Sequence, residues 1–129
     1  MKVNVSKTKF IVIIGNVEDK QDLVVQGMHV KECKYYIYLG SPFASDGLTS
    51  SSIKINANIK MCQALKFVSF CQKNDIPFYV KNKVFHAAVM STILYGCESW
   101  LNGNIRPMEN IYNICVKHLL GVRKTQRHL

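Results

Sequence analysis

The first third of the chain alternates short apolar runs with turn-forming residues, a pattern that predicts β-strands. Residues 9–14 predict a strand, and because residues 10–14 are an unbroken β-branched and aromatic run, we expect it to be buried on both faces. Leu23–Val25 and residues 28–30 flank a glycine, so we expect them to pair as a tight antiparallel hairpin. Residues 35–39 predict a further strand, rich in aromatic side chains, and a turn at residues 40–42 ends it.

In the remaining two thirds the apolar spacing changes from two residues to nearly four, which predicts helices. The first helix begins in the Thr/Ser run at residues 49–52 and extends to about residue 73, with an apolar stripe of Ile55, Ile59, Cys62, Leu65 and Val68. A second helix, at residues 79–100, is apolar on nearly all sides and should pack from several directions. The third begins near Pro107, ends near Gly121 and has an inner face of Met108, Ile111, Cys115 and Leu119.

These elements predict an α+β fold, in which a small antiparallel sheet is followed by a bundle of three helices. We place the sheet region at residues 1–48 and the helical region at 49–129, and expect the two to form one compact unit. The chain has 129 residues, 48% of them hydrophobic and 19% charged, a composition that excludes the disordered class of proteins.

The charge balance is strongly basic and favours an anionic partner. Seventeen Lys and Arg residues against eight Asp and Glu leave a net charge of +9, and nucleic acid is the commonest partner of such a surface. The alternative is a protein that merely has a basic surface. Lys66 and Lys73 fall on one face of the first predicted helix, where they either contact phosphates or are simply solvated.

Cysteine usage and hydropathy bear on the compartment. The five cysteines, at positions 33, 62, 71, 97 and 115, are odd in number and include no CxxC pair, which argues against a disulfide framework or a zinc site. We therefore expect a reducing intracellular compartment, nuclear or cytoplasmic. The N-terminus shows no signal peptide, and the longest apolar region, residues 84–95, is too short to span a bilayer. No membrane partner is expected.

Three short phrases in one order carry the most specific signal. They are NVSKTK at residues 4–9, YLG at residues 38–40 and LYGCESW at residues 94–100. Together they resemble the palm end and thumb of the reverse transcriptase (RNA-directed DNA polymerase) of non-LTR, or LINE-type, retrotransposons. The resemblance covers most of the chain, from residue 3 to about residue 124.

The resemblance implies roles for the residues of these phrases. Lys7 would stabilise the leaving pyrophosphate, because phosphoryl transfer builds negative charge that a cation stabilises. Lys9 would bind nucleic acid and is the alternative candidate for the role of Lys7. The phrase at residues 38–40 matches the hairpin that positions the primer end, so Tyr38, Leu39 and Gly40 would contact nucleic acid. The third phrase is a structural thumb motif made of Leu94, Tyr95, Gly96, Glu98 and Trp100. Tyr95 and Trp100 are expected to bury large areas, and Glu98 to pair with a basic group or backbone donor.

The chain departs from that family in the residues on which catalysis depends. Two-metal polymerase chemistry needs an aspartate on one palm strand and an adjacent pair on a hairpin. The aspartates here are dispersed at positions 19, 22, 46 and 75. We therefore expect no metal site and no cofactor in this chain, with Mg²⁺ belonging only to a full-length enzyme, and no polymerase activity from the chain alone.

The sequence leaves three functional interpretations open. The first is a fragment of a retrotransposon reverse transcriptase that holds the template–primer duplex. The second is a stand-alone basic module that binds nucleic acid, and the third is a decayed open reading frame without a selected function. If the strand at residues 9–14 has lost its neighbours, it leaves an apolar edge or face open, through which the chain would self-associate.

Overall fold

The computed structural model describes residues 2–21, 23–100 and 102–122, and its architecture is α+β. Five short strands come first: β1 (Lys9–Phe10), β2 (Leu23–Val25), β3 (Met28–Glu32), β4 (Tyr35–Tyr38) and β5 (Ser41–Ala44). One sheet has the order β1-β3-β2, with β1 parallel and β2 antiparallel to β3. The other is the antiparallel hairpin of β4 and β5. The predicted small sheet is therefore two sheets, one of them mixed.

Both hairpins close through two-residue turns that require left-handed backbone at each position. Gln26 and Gly27 have φ values of 50° and 76°, and Leu39 and Gly40 have 49° and 80°. Two positive φ values in succession are the signature of the type I′ turn, whose twist matches that of paired strands. The predicted hairpin around Gly27 is confirmed. At the second turn, β5 occupies residues where the sequence indicated only the end of a strand, and Pro42 lies in it as an edge-strand proline.

The predicted strand at residues 9–14 is wrong beyond Phe10. β1 pairs with β3 only at Lys9↔Lys31 and Phe10↔Glu32. Because β3 ends at Glu32, it offers residues 11–14 no strand with which to pair. Ile14 instead donates its backbone N–H to the carbonyl of Ser45, at 2.9 Å. Its side chain and that of Ile13 are exposed rather than buried on two faces.

The helices are α1 (Thr49–Cys71), α2 (Phe78–Val84), a π-helical turn (Phe85–Met90), α3 (Ser91–Leu94) and α4 (Arg106–Leu119). The segments from α2 to α3 follow one another without interruption, and we call them together the second helix. α1 packs mainly on α4, and β5 packs on α1. The helices enclose a single apolar core: Ile53, Ala57, Ala64, Phe67, Cys71, Phe85, Val89, Ile93, Trp100, Met108, Ile111, Cys115 and Leu119.

The third predicted helix is confirmed in detail. All four residues of its predicted inner face are buried, and Pro107 lies in the first turn. Gly121, at φ 67°, follows the helix end, and the next N–H, of Val122, reaches back to the carbonyl of Lys117 at 3.0 Å. This is the Schellman arrangement, in which a glycine lets the chain reverse and satisfy the last carbonyls.

The first and second helices differ from the sequence prediction, the first in its buried face and the second in its C-terminal end. The buried side of α1 contains Ile53, Asn56, Ala57, Lys60, Ala64, Phe67 and Cys71, whereas Ile59 and Leu65 of the predicted stripe are exposed. Apolar residues surround this helix, so spacing alone did not select the face that packs. The second helix ends at Leu94 rather than at residue 100, because Gly96 takes φ 71° and turns the chain away.

Two lysines join the helix ends reciprocally. Lys60 of α1 is buried, and its ammonium donates to the carbonyls of Ile93 and Tyr95, at 3.1 and 3.0 Å, where the second helix ends. Lys81 of α2 donates to the carbonyl of Cys71, at 2.6 Å, where α1 ends. The last carbonyls of a helix have no intrahelical donors, and the helix C-terminus carries a partial negative charge. A lysine ammonium at that position supplies the missing donors and compensates the charge. Burial lowers the pKa of Lys60, because removing the ammonium from water destabilises its charged form. The two hydrogen bonds to carbonyls partly offset this destabilisation.

The five cysteines are all free thiols in different environments. Cys71 and Cys115 are buried in the core, whereas Cys62, a residue of the predicted apolar stripe, is exposed because α1 packs through a different face. Burial raises the pKa of Cys115 to about 11. No helix in the described ranges combines the length and apolarity needed to cross a bilayer.

Replacing Lys60 by Met should lower the free energy of unfolding by about 2 kcal/mol, because two helix-end carbonyls lose a charged donor. Urea denaturation followed by circular dichroism measures the change. The matched control is Lys54→Met, an exposed position on the same helix, for which we expect a change within about 0.5 kcal/mol. Equal stability of the two variants would contradict a stabilising role for the Lys60 bonds.

Alkylation with iodoacetamide at pH 8 should modify Cys62 first and Cys115 last. The thiolate is the reactive species, and burial both shields Cys115 and keeps it protonated. Peptide mass spectrometry at successive times gives the order, and unfolding in urea should abolish the difference. Rapid modification of Cys115 in the folded protein would disagree with the buried position in the core.

Candidate nucleic-acid interface

The turn that precedes β1 explains the local order of the first phrase. The side-chain oxygen of Asn4 accepts hydrogen bonds from the Ser6 hydroxyl at 2.7 Å and from the Lys7 backbone N–H at 3.3 Å. The backbone carbonyl of Asn4 accepts from both the N–H and the hydroxyl of Thr8, at 3.0 and 2.7 Å. Asn4 and Thr8 therefore hold the backbone of the turn in one conformation through these hydrogen bonds. The exposed side chain of Lys7 projects from this fixed backbone.

A cleft of about 480 Å³ lies between this turn and β4, and we call it the lysine–tyrosine cleft. Its lining residues are Ser6, Lys7, Lys9, Cys33, Lys34, Tyr35, Tyr36 and Ile37. Three lysines and two half-exposed tyrosines therefore line one concave surface, and no acid is among the described residues that line it. Cations that attract phosphates and flat rings that stack on bases are the two components of a surface for nucleic acid.

The second and third phrases are in direct contact. The Tyr95 hydroxyl donates to the Leu39 carbonyl at 2.7 Å, across a separation of 56 residues. A Cβ atom at Gly40 would lie 2.9 Å from the Tyr95 ring, and one at Gly96 would lie 2.8 Å from the Ser41 hydroxyl. Both glycines also have positive φ, so close approach and backbone conformation each favour glycine there.

The residues of the third phrase differ in burial and in hydrogen bonding. Trp100 is buried in the core as predicted, although its indole N–H has no partner among the residues that the structure describes. Tyr95 is 57% exposed, so the prediction that its ring is buried is wrong, and its contribution comes through the hydroxyl. Glu98 is exposed in a 3₁₀ turn and needs no partner, which corrects the predicted pairing. Leu94 is half exposed at the end of the second helix.

Not all predicted nucleic-acid contacts meet at the cleft. Tyr38 and Leu39 are exposed, at 60% and 73%, on the same hairpin as the cleft tyrosines. Lys66 lines a different cavity, beside the second helix. Lys73 lies beyond the end of α1, so the two lysines do not share one helix face. Lys34, Tyr35 and Tyr36 were not among the predicted contacts, although a lysine directly before two tyrosines is a local signal for such a site.

The described donor groups do not fit a two-metal site. Within residues 2–21, 23–100 and 102–122 no three His, Cys, Asp or Glu side chains lie close enough together to hold a metal ion. Asp46 instead accepts hydrogen bonds from the Ser51 hydroxyl and the Leu48 N–H, which together lower its pKa and stabilise the start of α1. Asp22, one of the four aspartates noted in the sequence, lies outside the described residues.

Comparisons of this chain with protein-family models, with curated proteins and with solved structures give no match. The resemblance to a reverse transcriptase therefore remains an interpretation of three phrases in the sequence.

Replacing Gly40 by Ala should destabilise the fold by about 1 kcal/mol more than replacing Gly27 by Ala. The two glycines occupy equivalent turn positions with similar φ, but only at Gly40 would a Cβ meet the Tyr95 ring. Chemical denaturation of both variants gives the difference, which isolates the contact from the backbone strain. The excess cost should vanish in a Tyr95→Ala background, and its persistence there would exclude Tyr95 as the cause.

Proposed function

We propose that this chain is the template–primer-holding part of a non-LTR retrotransposon reverse transcriptase and that it lacks the catalytic aspartates. The observation that carries the proposal is the lysine–tyrosine cleft, which joins the Lys7 and Lys9 phrase to the strand leading into the second phrase. The Tyr95–Leu39 hydrogen bond adds the third phrase to the same assembly. The second and third phrases thus lie in contact, and the first phrase adjoins the strand that leads into the second, as parts of one binding surface are expected to do.

The charges and shapes of the cleft favour a backbone-directed mode of binding. Lys7, Lys9 and Lys34 line the cleft and would contact phosphates, and a ring of Tyr35 or Tyr36, whose side chains alternate across β4, would contact a base or a sugar. The exposed turn at Leu39 and Gly40 supplies backbone groups beside this surface. Such contacts carry no base-edge readout, so binding is independent of sequence and weakens steeply with salt.

Catalysis needs groups that the described part of the chain does not contain. The donor set does not fit two Mg²⁺ ions, so no step of polymerisation is assigned to this chain alone. Lys7 stabilises charge on a leaving group only when a further polypeptide segment supplies the aspartates. By itself the chain binds and positions nucleic acid.

A stand-alone nucleic-acid-binding module is the second candidate. The observation that favours it is a cleft with three lysines and no lining acid, which binds phosphate without a metal. A decayed open reading frame is the third interpretation, and it predicts no measurable binding. A reducing intracellular location accords with five free cysteines, and the exposed Ile13 and Ile14 offer an apolar surface for self-association.

Replacing both Lys7 and Lys9 by Ala should weaken binding to an RNA–DNA duplex and reduce the salt dependence. Each phosphate contact contributes about 0.9 to the slope of log affinity against log salt concentration, so the slope should fall by about 2. Fluorescence anisotropy between about 50 and 200 mM salt measures it. Lys20→Ala, an exposed lysine that does not line the cleft, is the matched control.

Two outcomes decide between the interpretations. Absence of binding at low salt would refute both binding proposals and leave the decayed reading frame. A primer-extension assay on an RNA template, with Mg²⁺ and nucleotides, should give no product. Extension by the purified chain would show that the catalytic groups are present after all.

A further inference from the structure

A second concave site lies away from the lysine–tyrosine cleft and shares no lining residue with it. It is a cavity of about 250 Å³ between α1, the second helix and α4. Most of its wall is apolar and is formed by Phe67, Phe70, Val84, Val89, Ile93 and Ile111. The size and apolar lining suit a short hydrocarbon chain or one aromatic ring.

One charged group in this wall has an unused hydrogen-bond donor. Lys60 lines the cavity and is 7% exposed, and its ammonium donates two hydrogen bonds, to the carbonyls of Ile93 and Tyr95. An ammonium has three N–H donors, so one remains. The described residues that line the cavity include no acid, and Lys66 adds a second cation at an exposed position. A buried charge without a counter-ion is costly, and a bound anion would compensate it.

Part of the cavity wall has an unusual backbone conformation. Ala88 and Val89 line the cavity from the π-helical turn. π-Helical turns are rare and occur frequently at functional sites. The small side chain of Ala88 is exposed, so it leaves an opening between solvent and the apolar wall.

We propose that this cavity binds an amphipathic monocarboxylate, with the carboxylate on Lys60 and the hydrocarbon part against the apolar wall. A single remaining N–H matches a monoanion better than a phosphate, whose dianion needs several donors. Lys66 attracts the anion electrostatically. The site shares no lining residue with the lysine–tyrosine cleft, so the proposal does not rest on nucleic-acid binding there.

The test compares octanoate with 1-octanol, which has the same chain length but no charge, by isothermal titration calorimetry on the full chain. Octanoate should bind about tenfold more tightly or better, since a charge-assisted hydrogen bond forms only with the anion. Equal affinity of the two probes would refute recognition of a carboxylate. Absence of binding by both would refute the site.

Ala88→Leu and Ala87→Leu form a matched pair of variants. Ala88 lines the cavity, whereas Ala87 lines only the neighbouring groove, and both are exposed positions of the same π-helical turn. Leucine at position 88 should lower octanoate affinity about tenfold or more by filling the cavity, and leucine at 87 should leave it unchanged. Unchanged affinity in Ala88→Leu, or an equal loss in both variants, would overturn the assignment. A folded Lys60→Met variant should lose the preference for octanoate, but the alanine pair decides even if that variant does not fold.

Discussion

The buried ammonium of Lys60 is the interaction on which the rest of the structure depends. It holds the last carbonyls of the second helix against the middle of α1, next to the point where Gly96 turns the chain. Lys81 fixes the end of α1 against the start of the second helix in the same way. A helix end carries unpaired acceptors and negative potential, so two cations, each supplied by the other helix, set the relative position of both.

The consequences extend from the core to the surface. Lys60 binds the backbone carbonyl of Tyr95, and the side chain of Tyr95 binds the turn between β4 and β5. The position of a surface hairpin therefore depends on a charge buried between helices. The same hairpin forms one wall of the lysine–tyrosine cleft, so the cleft keeps its shape only while the helix ends remain in place. Fold and candidate function are thereby connected through three hydrogen bonds and one apolar core.

The two concave sites divide the chemistry of the chain between them. The cleft combines exposed cations with aromatic residues, the combination on which the proposed binding of nucleic acid rests. The cavity combines one buried cation with an apolar wall, the combination on which the proposed binding of a small monocarboxylate rests. The lysines of the two sites therefore differ in role. The exposed lysines of the cleft keep their charge available to phosphates, whereas the buried charge of Lys60 requires a specific partner.

Local chemistry alone was sufficient for some elements. The turn-forming pair around Gly27 specified the first hairpin, and the stripe from Met108 to Leu119 with its flanking proline and glycine specified α4. The lysine phrase and the aromatic strand were also recognisable, because short polar turns and aromatic runs have local causes. What local pattern could not provide was the packing face of α1, where apolar residues occur on all sides.

The sequence thus determined the α+β class, the positions of most elements and two cationic residues of the cleft, Lys7 and Lys9, since these follow from spacing and turn chemistry among near neighbours. Only the tertiary structure decided that Lys60 is buried, that residues 11–14 leave the sheet, and that Tyr95 reaches Leu39. Each of these depends on a partner that is distant along the chain, and periodicity carries no information about which distant group will supply a hydrogen bond or a strand.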